Sequence, residues 1–162
     1  MQRRDFLGGL TLCAVMGPWV PATAGRVLLS VQGEVDGAGP VQFDAAALDA
    51  LPRREIVTAT EWTDGVETFA GPALADVLAA AGAGPGDLRL TALNDYSVDM
   101  PRKVVAPEVP IVALYRDGMR FGVRDHGPLW IIFPYDRAAR YRNEQIFSYS
   151  IWQLARIDVK PG

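Results

Sequence analysis

Apolar and polar residues alternate from residue 27 to residue 35. Val27, Leu29, Val31 and Val35 fall on one side, which predicts a first strand. A turn at 36–40 (DGAGP) leads to a short strand at 41–43. Asp44 then stands where it can cap a brief helix through Leu51, with Leu48 and Leu51 inward and Pro52 ending it. A third strand is read at 55–61, with Glu61 and Trp62 at its end, a turn at Thr63, Asp64 and Gly65, and a short strand to Phe69. Residues 73–81 read as a helix: Leu74, Val77 and Leu78 form its apolar stripe, and Gly82 sits at the left-handed cap position. After a loop at 84–87 comes a strand at 88–92. Asn94 and Asp95 favour a turn, and Tyr96, Val98 and Met100 alternate along the strand that leaves it. Residues 107–110 are irregular. The runs 111–115 and 119–123 flank Asp117-Gly118, a hairpin signal. A loop at 125–128 precedes an almost continuous apolar strand at 129–133, of the kind buried on both faces. Residues 137–144 read as loop or short helix, and 148–153 lead into a last strand ending near Val159. No repeat and no second domain interrupts this order.

The first 24 residues follow a different pattern. Arg3 and Arg4 precede an apolar stretch from 6 to 20 that is broken by glycines and Pro18, and Ala22-Thr23-Ala24 is a small-residue cleavage site. This is the layout of a secretory signal, too short and glycine-rich for a stable transmembrane helix. RRDFL at 3–7 also resembles the twin-arginine export signal, used by proteins that fold before crossing a membrane. The expected arrangement is therefore a cleaved signal at 1–24 and one domain at 25–162. Localisation would be periplasmic, with no membrane insertion after cleavage.

Composition narrows the chemistry. Hydrophobic residues are 49% and charged residues 22% of 162, which suits one folded domain rather than a disordered chain. Sixteen glycines and twelve prolines suggest a loop-rich α+β domain, not a helical bundle. Net charge is −3, and −4 once Arg3, Arg4 and Asp5 are removed, which argues against nucleic acid as a partner. Cleavage also removes Cys13, the one cysteine, so the mature chain has no thiolate nucleophile or thiolate metal ligand. His126 is the one histidine, in a turn beside Asp125; the sequence leaves open whether this pair lines a site or shapes the turn. Zinc and blue-copper centres need clustered nitrogen and sulfur donors, so no protein-ligated metal is expected.

Acid, amide and aromatic residues recur at strand ends: Glu61 with Trp62, Asn94 with Asp95 and Tyr96, Tyr135 with Asp136, the last pair followed by Arg137, Arg140 and Arg142. Loops held by strands are where binding residues collect. A carboxylate beside an indole suits a flat heterocycle with N–H donors along one edge. The plainer alternative, in which Trp62 is core and Glu61 a solvated turn residue, is equally compatible with spacing alone.

Longer motifs carry a family resemblance. They are FAGPALADVL at 69–78, ALNDYSVDMP at 92–101, GPLWIIFP at 127–134 and IWQL at 151–154. In order and spacing, residues 27–159 resemble the molybdopterin-binding oxidoreductase domain of the sulfite oxidase fold. The resemblance implies a single compact α+β domain with mixed sheets and few short helices.

Two departures redirect the functional expectation. Catalytic members of that family carry a molybdenum-binding cysteine on the strand that enters the tryptophan motif, and the corresponding position here is Thr58 or a neighbour. They also commonly place an arginine after the Gly-Pro-Leu step, where this chain has Trp130. What remains resembles a cysteine-less branch of periplasmic pterin-binding proteins. That likeness implies a non-catalytic, ligand-dependent regulator, with the periplasmic sensor region of a membrane signalling protein as partner. A molybdopterin-dependent oxidoreductase with atypical coordination is the alternative. A pterin's guanine-like edge would donate two N–H bonds to Glu61 or Asp95. Stacking on Trp62, Tyr96, Trp130 or Trp152 would add on the order of 1–3 kcal/mol. Asn94, Tyr135 and Asp136 complete the candidate set, with Arg137 and Arg140 for a polar tail of the ligand.

Overall fold

Strand β1 (Val27–Gly33) is hydrogen-bonded in parallel to β11 (Leu154–Val159), with Val31 opposite Ile157, so both ends of the domain close one sheet. These strands belong to a computed structural model that describes residues 25–162; the export signal read at 1–24, with Cys13, lies outside the described residues. The other partners in this sheet are antiparallel: β2 (Val41–Asp44), β5 (Leu88–Ala92) and β6 (Ser97–Met100), in the order β2-β1-β11-β5-β6. A second, antiparallel sheet runs β3-β4-β8-β9, from β3 (Arg53–Ala59) through β4 (Val66–Pro72) and β8 (Tyr115–Arg116) to β9 (Met119–Arg120).

A short pair, β7 (Ile111–Ala113) and β10 (Trp130–Ile132), ties the two sheets together. On one side the Ile131 amide donates to the Ile151 carbonyl at 3.0 Å, on the approach to β11; on the other the Leu114 amide donates to Ala70 of β4 at 2.9 Å. Enclosed this way, every residue from Leu129 to Phe133 is 0% exposed, which is why the run carries no polar face. Close approach of β4 to β7 requires Gly71: a Cβ there would sit 1.9 Å from the Val112 carbonyl oxygen.

Helices are few and short. In α1 (Ala45–Asp49) the Asp44 carboxylate accepts from the Ala47 amide at 2.8 Å, as expected of the cap. Helix α2 (Leu74–Ala80) buries Leu74, Val77 and Leu78, and Gly82 follows it with φ 61°. The domain is thus the single compact α+β unit with mixed sheets that the sequence implied.

Four local expectations change. Strand β1 ends at Gly33, φ 92°, not at Val35. Strand β3 ends at Ala59 rather than Glu61, because the Ala59 amide turns to the Asp136 carboxylate and the Thr60 amide to Thr63 Oγ1. The hairpin at Asp117-Gly118 (φ 49° and 79°) joins only β8 and β9, since 111–113 pairs with β10 instead. Finally, 144–149 forms a third helix, α3 (Glu144–Tyr149), where a loop running into a strand was expected. Among the described residues, no helix is long and apolar enough to cross a membrane.

Candidate functional site

The turn after β3 is held by a threonine knot. Thr60 Oγ1 accepts from the Trp62 amide at 3.1 Å, Thr63 Oγ1 accepts from the Thr60 amide at 3.1 Å, and the Thr63 hydroxyl donates to the Gly65 carbonyl at 3.0 Å. Side-chain oxygens that satisfy turn amides fix the backbone where no ladder can. The knot leaves Glu61 exposed and Trp62 half-buried.

The turn after β5 is fixed similarly. Asn94 Oδ1 accepts from the Tyr96 amide at 3.2 Å, the Ala92 amide donates to the Tyr96 carbonyl at 2.8 Å, and Asp95 adopts φ 65° between them. Asn and Asp tolerate this left-handed geometry better than bulkier residues. The Leu93 amide donates to Gln153 at 2.9 Å, which brings the turn beside Trp152.

Helix α3 supplies the third wall. Asn143 Oδ1 caps it by accepting from the Ile146 amide at 3.0 Å, placing Glu144, Phe147 and Ser148 toward the same space. These walls enclose a cavity of about 520 Å³. Of the residues singled out from sequence, Glu61, Trp62, Asn94, Tyr96 and Trp152 line it together. The indole of Trp62 meets Trp152 at 5.5 Å and 69°, and Phe147 at 5.8 Å and 86°. These edge-to-face contacts gather three rings at one corner of the cavity.

Other candidates lie elsewhere. Asp95 is exposed and does not line the cavity. Trp130 is 0% exposed; it lies beneath, 6.0 Å from Trp62, with its indole N–H donating to the Ser150 carbonyl at 3.0 Å, so it supports the site and offers no free face. Tyr135 is buried, and its hydroxyl donates to Ser150 Oγ at 2.6 Å, while Ser150 Oγ donates to the Ile146 carbonyl at 2.9 Å. Burial pushes the Tyr135 phenol up to about 12, against a smaller opposing effect of the Ser150 bond. Arg137 and Arg140 are exposed away from the cavity, with Arg140 lying over the Tyr141 ring at 4.9 Å. His126, φ 71°, stacks on Trp130 at 4.8 Å and 30° and meets Trp152 at 5.1 Å, so it backs the aromatic wall without lining it; Asp125 is exposed in the turn before it.

Asp136 has another task. Its carboxylate accepts from the Ala59 amide at 2.7 Å and from the Thr58 hydroxyl at 3.1 Å, and it pairs with Arg142. The Ala59 amide, then Thr58 and Arg142, hold this carboxyl below its usual range. A smaller recess of about 350 Å³ adjoins here, lined by Thr60, Tyr135 and Arg142 and sharing Glu61 and Phe147 with the main cavity.

Glu144, Phe147 and Ser148 were missed by sequence reasoning. The signal was present: Asn143, an N-cap residue, precedes Glu144, and Ile146 and Tyr149 sit three apart in the turn that follows.

No protein family's model matches the chain, and none of the curated proteins compared with it matches either. Among solved structures, the fold is similar to part of a larger protein. The chain is similar to the sulfane dehydrogenase SoxCD from Paracoccus pantotrophus, with a TM-score of 0.58 at 17% identity. The match covers 82% of this chain and 37% of that one, so the domain spans well under half of its structural neighbour. At this identity the likeness establishes the fold.

The residues do not fit a molybdenum–thiolate centre. Residues 25–162 contain no cysteine. Thr58 is 1% exposed, and its hydroxyl is engaged by Asp136. Neutral hydroxyl oxygen is a poor replacement for a soft anionic sulfur.

Proposed function

We propose that the chain is an exported, non-catalytic pterin-binding protein whose ligand-bound form regulates the periplasmic sensor region of a membrane signalling partner. The observation that carries the binding part is the convergence of Glu61, Trp62, Asn94, Tyr96 and Trp152 on one cavity of about 520 Å³. Indole and phenol rings provide stacking surface, while Glu61 and Asn94 accept from an amino–amide edge. The volume suits a small planar molecule. The export and partner parts rest on the twin-arginine-like leader and the family resemblance.

The test is equilibrium titration of purified mature protein with oxidised and reduced pterins. Saturable binding is expected, with Glu61→Ala and Trp62→Ala each weakening it by about tenfold or more, as loss of a charge-assisted bond or a stacking face implies. No binding at high micromolar concentration overturns the proposal.

One observation favours a second reading, a molybdopterin-dependent oxidoreductase with atypical coordination: the fold shared with a dehydrogenase. Stoichiometric molybdenum, retained through gel filtration of protein from a molybdate-fed host, would establish it over the first.

A further inference from the structure

The charges around the cavity are one-sided. Its two ionisable carboxylates are Glu61 in the turn after β3 and Glu144 on the first turn of α3, and among the described residues no lysine, arginine or histidine lines it. Its remaining polar groups are neutral, and Ser150 is already engaged by Tyr135 and Ile146. The aromatic faces of Trp62, Phe147 and Trp152 add electron-rich surface, which attracts cations. The Arg142 guanidinium lies in the adjoining recess, which shares Glu61 and Phe147 with the cavity, and is paired with Asp136. At the start of α3 the Asn143 side chain occupies the Ile146 amide, and the Phe147 amide donates to the Asn143 carbonyl.

We infer that this cavity selects a phosphate-free ligand: a neutral or protonated nitrogen heterocycle whose N–H donors are shared between Glu61 and Glu144. The inference rests on the pterin reading and narrows it, because it separates free pterins from phosphorylated ones, phosphate-bearing cofactor forms included. A phosphate within a few ångströms of two carboxylates gains no cation in return and meets repulsion instead.

Titrations of the purified mature protein with dihydroneopterin and with its monophosphate test this. Dihydroneopterin is expected to bind, and the monophosphate to bind at least about tenfold more weakly at low ionic strength, with the gap narrowing as salt screens it. Glu144→Gln should narrow the gap, and Ser148→Lys, which places a cation on the cavity side of α3, should narrow it further. Circular dichroism of each variant checks that it folds. Equal or tighter binding of the monophosphate to the unaltered protein overturns the charge selection while leaving the pterin reading intact. Failure of both probes to bind overturns the pterin reading, and the selection with it.

Discussion

Thr58 and Asp136 exchange hydrogen bonds. The Thr58 hydroxyl donates to the Asp136 carboxylate at 3.1 Å, and the Asp136 amide donates back to Thr58 Oγ1 at 3.2 Å. The pair staples β3 to the loop after β10.

Thr58→Val keeps the β-branched shape but removes the hydroxyl, leaving the Asp136 amide without its partner. Because Thr58 is buried, the loss should be about 1–2 kcal/mol of unfolding free energy. Urea denaturation measures it. Pterin affinity should change less than threefold, as Thr58 does not line the cavity; a larger change would mean that the staple also shapes the site.

Asp136 gives the pair a pH dependence. Its carboxyl titrates below the ordinary 3.8, chiefly because of the Ala59 amide. A carboxyl depressed on folding contributes stability that is complete above the unfolded value and disappears as pH falls through the folded one. The difference in melting temperature between wild type and Asp136→Asn should therefore be level from pH 7 to about 5 and shrink below about pH 4. A difference that grows on acidification would contradict the assignment.

Trp130 and Trp62 lie 6.0 Å apart, yet they should respond differently to truncation. Trp130→Ala opens a cavity in a fully enclosed strand and should cost about 3–5 kcal/mol. Trp62 is half-buried, so Trp62→Ala should cost less stability and show its main effect in ligand affinity. Paired denaturation and binding curves separate the two roles.

Legibility followed the range of the interactions involved. Strand β5, the cap at Asp44 and the left-handed Gly82 are set by alternation and local backbone chemistry, and all were readable. The corner formed by Glu61, Trp62, Asn94, Tyr96 and Trp152 was readable as residue types but not as one site, because those residues span some ninety positions and meet only through sheet closure. Trp130 reads as a stacking face because an exposed and an enclosed indole look alike in sequence; burial here comes from β7 on one side and the Ile151 segment on the other. Arg137, Arg140 and Arg142 all follow Asp136 closely in the chain, and proximity alone does not say that Arg142 is the one that pairs with it. Helix α3 was hidden by its brevity, as six residues give the helical period little room to show.

That brevity makes α3 sensitive to its cap, and the cap is a route to the site. A six-residue helix has almost no intrinsic stability, so its geometry depends on the Asn143–Ile146 bond and on packing of Tyr149. Asn143→Ala removes an N-cap and should cost about 1 kcal/mol globally. Glu144 and Phe147 lie within the first turn and just after it, so fraying there displaces one carboxylate and one ring from the cavity wall. Affinity for a reduced pterin should fall by about threefold to tenfold, although Asn143 does not line the cavity. Asn143→Asp, which retains the capping oxygen but not the Nδ2 bond to the Arg140 carbonyl at 2.9 Å, should restore part of both stability and affinity. If Asn143→Ala lowers the melting temperature while affinity stays at the wild-type value, α3 is a lid of no consequence to binding, and Glu144 and Phe147 leave the list of ligand contacts.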